Sequence, residues 1–305
     1  MSNKATTASC SAFRTLDSEE VNLHSFHDHL VNSASIIALV GAGLSAASGL
    51  STFQGIGGLW RSYDPTTLAT PEAFASNPEL VWQFYSHRRH CATLAQPNLA
   101  HHALAEASRR KPGLLTLSQK IDDLSERAGH PQEQILHLHG SLFQSRCVDS
   151  QNCGYSRSGM AESSQMQRTR DISGPYTSPD PPFQTLPTCP NCTRLLRPGV
   201  VWFGEPLPRE VLAGIRNWFD SCAKVDLMLV IGTSAQVYPA AGYINVARLK
   251  GARICVVNTN RDHESNEGLH EDDWFFQGDA AVILPTLLQP FLGLQGSTEK
   301  HVRPE

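Results

Sequence analysis

The sequence predicts an α/β fold, a doubly wound parallel sheet carrying a smaller satellite domain. Three features of the 305 residues point to it. Apolar, strand-like runs alternate with helix-like runs, the pattern of a parallel sheet covered by helices on both faces. The run Ile36-Ile37-Ala38-Leu39-Val40 stops abruptly at a loop of small residues, Gly41-Ala42-Gly43-Leu44-Ser45-Ala46-Ala47-Ser48-Gly49. Four cysteines bracket Gly154 to Pro187, a Ser/Pro/Thr-rich loop with little apolar periodicity, which marks off a separate module.

In chain order, Val21 to Asn32 is mildly amphipathic and reads as an entry helix, preceded by a tail. Asn77 is placed to cap a helix with Pro78 at its first position, and Leu80, Val81, Phe84 and Cys91 recur at helical spacing through Ala95. Asn98 caps a second helix, Leu99 to Arg109, which Lys111-Pro112-Gly113 ends before the strand Leu114 to Leu117. Further strands are expected at Ile135 to Leu138, Val200 to Phe203, Leu227 to Ile231, Ile254 to Val257 and Val282 to Leu284. Helices are expected at Arg209 to Ala223 and Pro239 to Lys250, the latter closed by Gly251.

A net charge of −4 argues against a broad nucleic-acid or anionic-membrane surface, and no apolar run is long enough to span a bilayer. The eight cysteines include no pattern of a secreted disulfide framework. They imply a reducing intracellular compartment, with cytoplasm or nucleus placed slightly ahead of the mitochondrion.

The glycine-rich turn after the first strand fits G-x-G-x-x-[GA], in which Gly41, Gly43 and Ala46 would let the backbone approach a pyrophosphate. On its own such a turn is equally an ordinary strand-to-helix connection. The next segment is unusual: Ser51 to Trp60 is a second glycine-rich loop, where a dinucleotide fold normally has a helix, a strand and a ribose-binding acid. Cys147, Cys153, Cys189 and Cys192 offer four thiolates for a structural zinc ion, Cys189-Pro190-Asn191-Cys192 being the stronger half, with unligated thiols as the alternative. His137 and His139 share one strand face, and spacing alone leaves open whether either is catalytic.

The stretch from Gly41 to Trp60 resembles the signature of the sirtuins, NAD-consuming lysine deacylases, G-A-G-x-S-x-x-S-G-[IVL]-P-x-F-R-G. Ser51 stands at the proline and Gln54 at the arginine. The resemblance runs from about Ser35 to Pro285. It implies a Rossmann-like NAD domain with contacts from Gly41, Ala42, Gly43, Ser45, Ala46, Gly49, Thr52, Phe53, Gln54 and Trp60. Ser118 to Gly129 is similar to T-Q-N-[IV]-D-x-L-H-x-x-A-G, adding Gln119, Lys120 (an asparagine in the family), Ile121 and Asp122 around nicotinamide and its ribose. Gly232, Thr233, Ser234, Asn258, Thr259 and Asn260 would meet the adenosine ribose, and Gln277 to Ala280 would close over adenine. His139-Gly140-Ser141 matches the family's catalytic histidine motif, so the base is His139. Val200 to Glu205 matches the strand that pairs with an acyl-lysine peptide, through Val201, Phe203, Gly204 and Glu205.

Leu68 to Pro71 with Trp82 to Arg89 looks like the class III branch, the desuccinylases, demalonylases and deglutarylases. Tyr85 and Arg88 share a helix face and would hold the acyl carboxylate, while Ala69 keeps the acyl tunnel roomy. The activity implied is NAD-dependent removal of an acidic acyl group from lysine, giving free lysine, nicotinamide and O-acyl-ADP-ribose, with NAD and one structural zinc required. Acylated proteins or peptides would be the partners. The domains implied are an extension at 1–30, an NAD domain at 31–63, 111–145 and 198–290, a helical insertion at 64–110, a zinc module at 146–197 and a tail at 291–305. The alternatives are an impaired sirtuin-like module that binds NAD or acyl-lysine peptides, ADP-ribosyl transfer in the same cleft, and hydride transfer. The cation lost at Gln54 and gained at Lys120 reads either as a charge relocated within the cleft or as decay of a cofactor site.

Overall fold

The computed structural model describes residues 10–51, 60–158, 186–261 and 269–292. Helix α1 (Cys10–Asn32) begins well before the expected entry helix and leads into β1 (Ile36–Val40). The glycine turn then holds α2 (Gly43–Ala46), and α3 (Pro65–Leu68), α4 (Pro71–Ser76), α5 (Pro78–Leu94) and α6 (Leu99–Arg110) precede β2 (Leu114–Ser118). After α7 (Leu124–Arg127) come β3 (Ile135–His137), β4 (Gly140–Cys147), β5 (Ser156–Ser158) and β6 (Leu196–Val200). The chain closes with α8 (Arg209–Ser221), β7 (Leu227–Ile231), α9 (Gly242–Leu249), β8 (Arg253–Asn258), β9 (Trp274–Gln277), α10 (Ala280–Leu287) and α11 (Gln289–Leu292).

Six strands form a parallel sheet in the order β3-β2-β1-β7-β8-β9, so sequence order reverses on either side of β1. The two-residue period of β1 divides it between two cores. Ile36, Ala38 and Val40 pack with Phe26 and Leu30 of α1, with Ala100, Ala103, Leu104 and Ala107 of α6, and with Leu284 of α10. Ile37 and Leu39 pack on the other side with Ile215 and Phe219 of α8 and Ala247 of α9. Burial on both faces is why these strands read as unbroken apolar runs.

The caps expected at Asn77 and Asn98 form. Asn77 Oδ1 accepts from Leu80 N at 3.0 Å, and Asn98 Oδ1 accepts from Ala100 N at 3.0 Å and His101 N at 3.4 Å. Helices α3 to α5 pack on a small antiparallel sheet, β5-β4-β6, around Trp82, Phe84, Tyr85, Leu142, Val200 and Trp202. The indole of Trp82 donates to Leu196 O at 3.0 Å, tying α5 to β6.

Two expected strands are corrected. Val282 to Leu284 lies inside α10, because Asp279 caps that segment by accepting from Ala281 N at 2.8 Å and the helix is buried along Ala280, Leu284 and Leu287. The edge strand is instead β9, whose aromatic run Trp274-Phe275-Phe276 suits a pleated surface. Val200 to Phe203 is not a strand of the parallel sheet; the strand is Leu196–Val200, paired antiparallel to β4, and the chain leaves it at Val201. Arg197, Pro198 and Gly199 hid it, since proline and glycine seldom sit within a strand.

Candidate functional site

The C-terminal ends of β1, β2, β7 and β8 bring the loops at 41–49, 119–122, 232–234 and 258–260 to one edge, where ligands of doubly wound sheets bind. The loop after β1 is locked against the loop after β7. Gly41 N–H donates to Ile231 O at 2.9 Å and Gly43 N–H to Gly232 O at 2.8 Å. A Cβ at Gly41 would lie 2.5 Å from the Thr233 Cβ, and one at Gly43 would lie 2.7 Å from the Gly232 Cα. These glycines therefore serve the close approach of the loops after β1 and β7. Ala42 and Ser48 are half-buried, while Ala46 and Gly49 are exposed. Thr52, Phe53 and Gln54 lie outside the described residues. Trp60 is buried, and its indole N–H has no partner among the described residues.

Gln119 ties the second loop to the third, accepting from Thr233 Oγ1 at 2.8 Å, and Asn258 donates to Thr233 O at 3.0 Å. Ser234 is half-buried, Thr259 and Asn260 are exposed, and Ala280 is buried at the start of α10. Polar groups from four strands thus converge where a dinucleotide would lie, and they fit NAD.

His139 follows β3, and its Nδ1 lies 3.2 Å from Gln119 O. A carbonyl only accepts, so Nδ1 carries the proton and Nε2 keeps its lone pair. Burial holds the imidazole below its ordinary value, and nearby Lys120 adds to this against the Gln119 hydrogen bond. His137 differs: its Nε2 is 2.6 Å from Glu126 Oε1, and this partner outweighs burial and raises its affinity for a proton. The pair ties β3 to α7.

Lys120 Nζ stands 3.2 Å from Asp122 Oδ2, with both side chains largely buried. Burial would raise the Asp122 carboxyl, but Lys120, the Ser45 hydroxyl and the Leu124 N–H outweigh it and hold the group below the usual carboxylate range. The charge gained at position 120 is thus directed at Asp122. Sequence reasoning missed His101, which is buried between the two loops. Its Nδ1 accepts from Asn98 N at 3.2 Å, and its Nε2 faces Ser45 Oγ at 3.4 Å. Burial pushes it down to about 4, so it is a neutral strut for Ser45. The Asn98-x-x-His101 capping box was the available signal. Ile121 is buried, and its carbonyl accepts from Leu142 N at 2.9 Å, joining this loop to the satellite sheet.

On the satellite side, Tyr85 is fully buried and burial pushes its hydroxyl up to about 12, so it is neutral. Arg88 is half-buried one turn on, over the Phe84 ring at 5.6 Å. Ala69 accepts from Phe203 N at 3.0 Å, and Val201 N donates to His139 O at 2.9 Å, so 201–203 bridges the satellite helices and the His139 loop. Phe203 and Gly204 are exposed. The Glu205 carboxylate faces inward: Arg146 at 2.9 Å and Arg197 both pair with it, and Trp202 N–H donates to it at 2.8 Å.

The four cysteines meet at the open end of the small sheet. Their sulfurs all lie within 4.8 Å of one another, with Cys147 to Cys192 at 3.4 Å and Cys153 to Cys189 at 3.5 Å. Sulfurs at about 2.3 Å from one tetrahedral zinc would be about 3.8 Å apart, so the set fits structural zinc with no open position. The turn is held by Thr193 N–H donating to Cys189 O at 2.8 Å and by the Arg194–Asp149 ion pair at 2.7 Å. No helix among the described residues is long and apolar enough to cross a membrane.

The Sir2 family model matches residues 41–239. An NAD-dependent protein deacylase of Candida albicans is 42% identical over 300 residues, covering 89% of this chain and 98% of the relative. The mitochondrial NAD-dependent protein deacylase sirtuin-5 of Danio rerio is 36% identical, covering 88% of this chain and 87% of its own length. Among solved structures, a Sir2 homolog–NAD complex superposes with a TM-score of 0.71 at 36% identity, covering 90% of this chain and 93% of that one.

Proposed function

This chain belongs to the Sir2 family, and we propose that within it the substrate is a lysine bearing an acidic acyl group: succinyl, malonyl or glutaryl. It is an NAD-dependent protein deacylase, acting on acylated proteins or peptides. The acidic preference is carried by one observation, Tyr85 and Arg88 on one face of α5, with the Tyr85 ring 6.4 Å from that of Trp202 in the 201–205 segment. A neutral phenol and a guanidinium can together grip a carboxylate, which a methyl group would leave unanswered. The sirtuin-5 relative supports the same branch.

In this reading NAD is held by the loops at 41–49, 119–122, 232–234 and 258–260, and it supplies an electrophilic ribose carbon with nicotinamide as leaving group. The chain's residues do the rest. The edge at 201–204 aligns the peptide backbone by strand addition. Gln119 O fixes the His139 ring so that Nε2 takes a proton from a hydroxyl in the cleft. Glu205, clamped by Arg146 and Arg197, holds Trp202 and with it the peptide-binding segment.

Replacing Arg88 tests the acyl class. Arg88→Met should lower kcat/KM on a succinyl-lysine peptide by roughly ten- to a hundredfold, a loss of about 1.5–3 kcal/mol, with far less effect on residual deacetylation. Equal losses on both peptides would make Arg88 structural and remove the basis for the acidic preference.

A further inference from the structure

The glycine turn stands at the end of β1, where strand order reverses. A dinucleotide whose diphosphate lies there extends to both sides of it. One half covers the ends of β7 and β8, with Thr233 and Asn258; the other covers the ends of β2 and β3, with Lys120 and His139. The reacting half is the one beside His139, so the nicotinamide ring meets the 119–122 loop. This inference rests on the NAD site of the proposed function.

Each carboxylate near that loop already faces a basic group. Asp122 has Lys120 Nζ at 3.2 Å and accepts from Leu124 N–H at 3.2 Å. Asp123 faces Arg127 at 3.7 Å, and Glu126 faces His137 at 2.6 Å. Arg88 lies close enough to act electrostatically on both Lys120 and Asp122, adding a second cation to the same neighbourhood. With a neutral residue at 120, the buried carboxylate of Asp122 would keep Arg88 as its remaining counter-charge and present more of its own charge to the cleft. With lysine, that charge is cancelled where it stands.

We propose that Lys120 makes this cofactor site discriminate by the charge of the nicotinamide ring, disfavouring the pyridinium cation of NAD relative to ligands that carry no ring cation, namely NADH and ADP-ribose. The reason is electrostatic. A cationic ring gains from a carboxylate freed of its lysine in a poorly solvated site and gains nothing from a neutral ion pair, whereas NADH and ADP-ribose have no ring cation and feel the exchange only through the diphosphate that all three ligands share. For charges a few ångströms apart at an effective dielectric of about 20, the difference amounts to roughly tenfold or more in affinity. Lys120 is then a specificity residue for the cofactor, acting through Asp122.

The test is calorimetric titration of the full chain with NAD, NADH and ADP-ribose, compared with Lys120→Asn, the nearly isosteric Lys120→Met, and Lys120→Arg, which keeps the charge. The neutral variants should raise affinity for NAD relative to NADH and ADP-ribose by roughly tenfold or more. Lys120→Arg should keep the original ratios. If the neutral variants shift all three ligands alike, or weaken NAD alone, the proposal is wrong. Failure of the unaltered chain to bind ADP-ribose at all would overturn the cofactor site itself, a result distinct from failed discrimination.

Discussion

Stripping the metal should strongly destabilise the satellite domain and lower activity with it, the largest single effect on stability expected of this chain. Cys147 and Cys189 are buried in the same core as Trp82, Phe84, Leu142 and Trp202, so without an ion four thiols would crowd together at the edge of that core. Structural zinc in small modules contributes on the order of 10 kcal/mol of apparent binding free energy, and site formation there is coupled to folding. Here the surrounding apolar contacts offset part of the loss. A net cost of several kcal/mol and a fall in Tm of about 10 °C or more are expected on chelation or in Cys189→Ser. Activity falls with it because the strand that ends at Val200, beside the cysteine turn, carries 201–205. Metal analysis should give about one zinc per chain, and a metal-free chain that melts at the same temperature would refute the structural role.

Replacing His139 by asparagine should lower kcat by about 10²–10⁴ while leaving ADP-ribose binding close to unchanged, since in the mechanism proposed above the lost group moves a proton and does not anchor the cofactor. Its pH dependence has a definite sign. The base acts only when neutral, and burial with Lys120 nearby lowers the imidazole from 6.5, so the acid limb of the rate profile should lie below that value. Removing the neighbouring cation in Lys120→Asn should move the limb upward. An acid limb above 6.5, or one unmoved in Lys120→Asn, would separate the rate-limiting ionisation from His139.

The parts of the fold legible in the sequence were those where one local signal was enough. β1, β2, β7 and β8 are buried on both faces and read as apolar runs, and Asn77 and Asn98 announce their helices by capping. The elements that local pattern could not show depend on tertiary pairing. β6 contains a proline and a glycine and exists because it pairs with β4, and α10 is so apolar that a helix against the core looked like a strand. The site shows the same division. His139 is separated from His137 by its motif, and the structure adds the physical distinction, a carbonyl behind one ring and a carboxylate behind the other. Lys120 was visible as a departure, but its direction was not, because an ion pair with Asp122 depends on how a loop closes. His101 was legible only as the capping-box partner of Asn98, and its contact with Ser45 was not, because the two lie far apart in sequence.

NAD-dependent removal of an acidic acyl group from lysine is tested most directly by mass spectrometry of a succinyl-lysine peptide incubated with the chain, with and without NAD. The peptide should convert to its free-lysine form only when NAD is present, releasing one nicotinamide and one O-succinyl-ADP-ribose per lysine freed, and faster than the matching acetyl-lysine peptide. An unchanged succinyl peptide in the presence of NAD, or an acetyl peptide consumed as fast as the succinyl one, would contradict it.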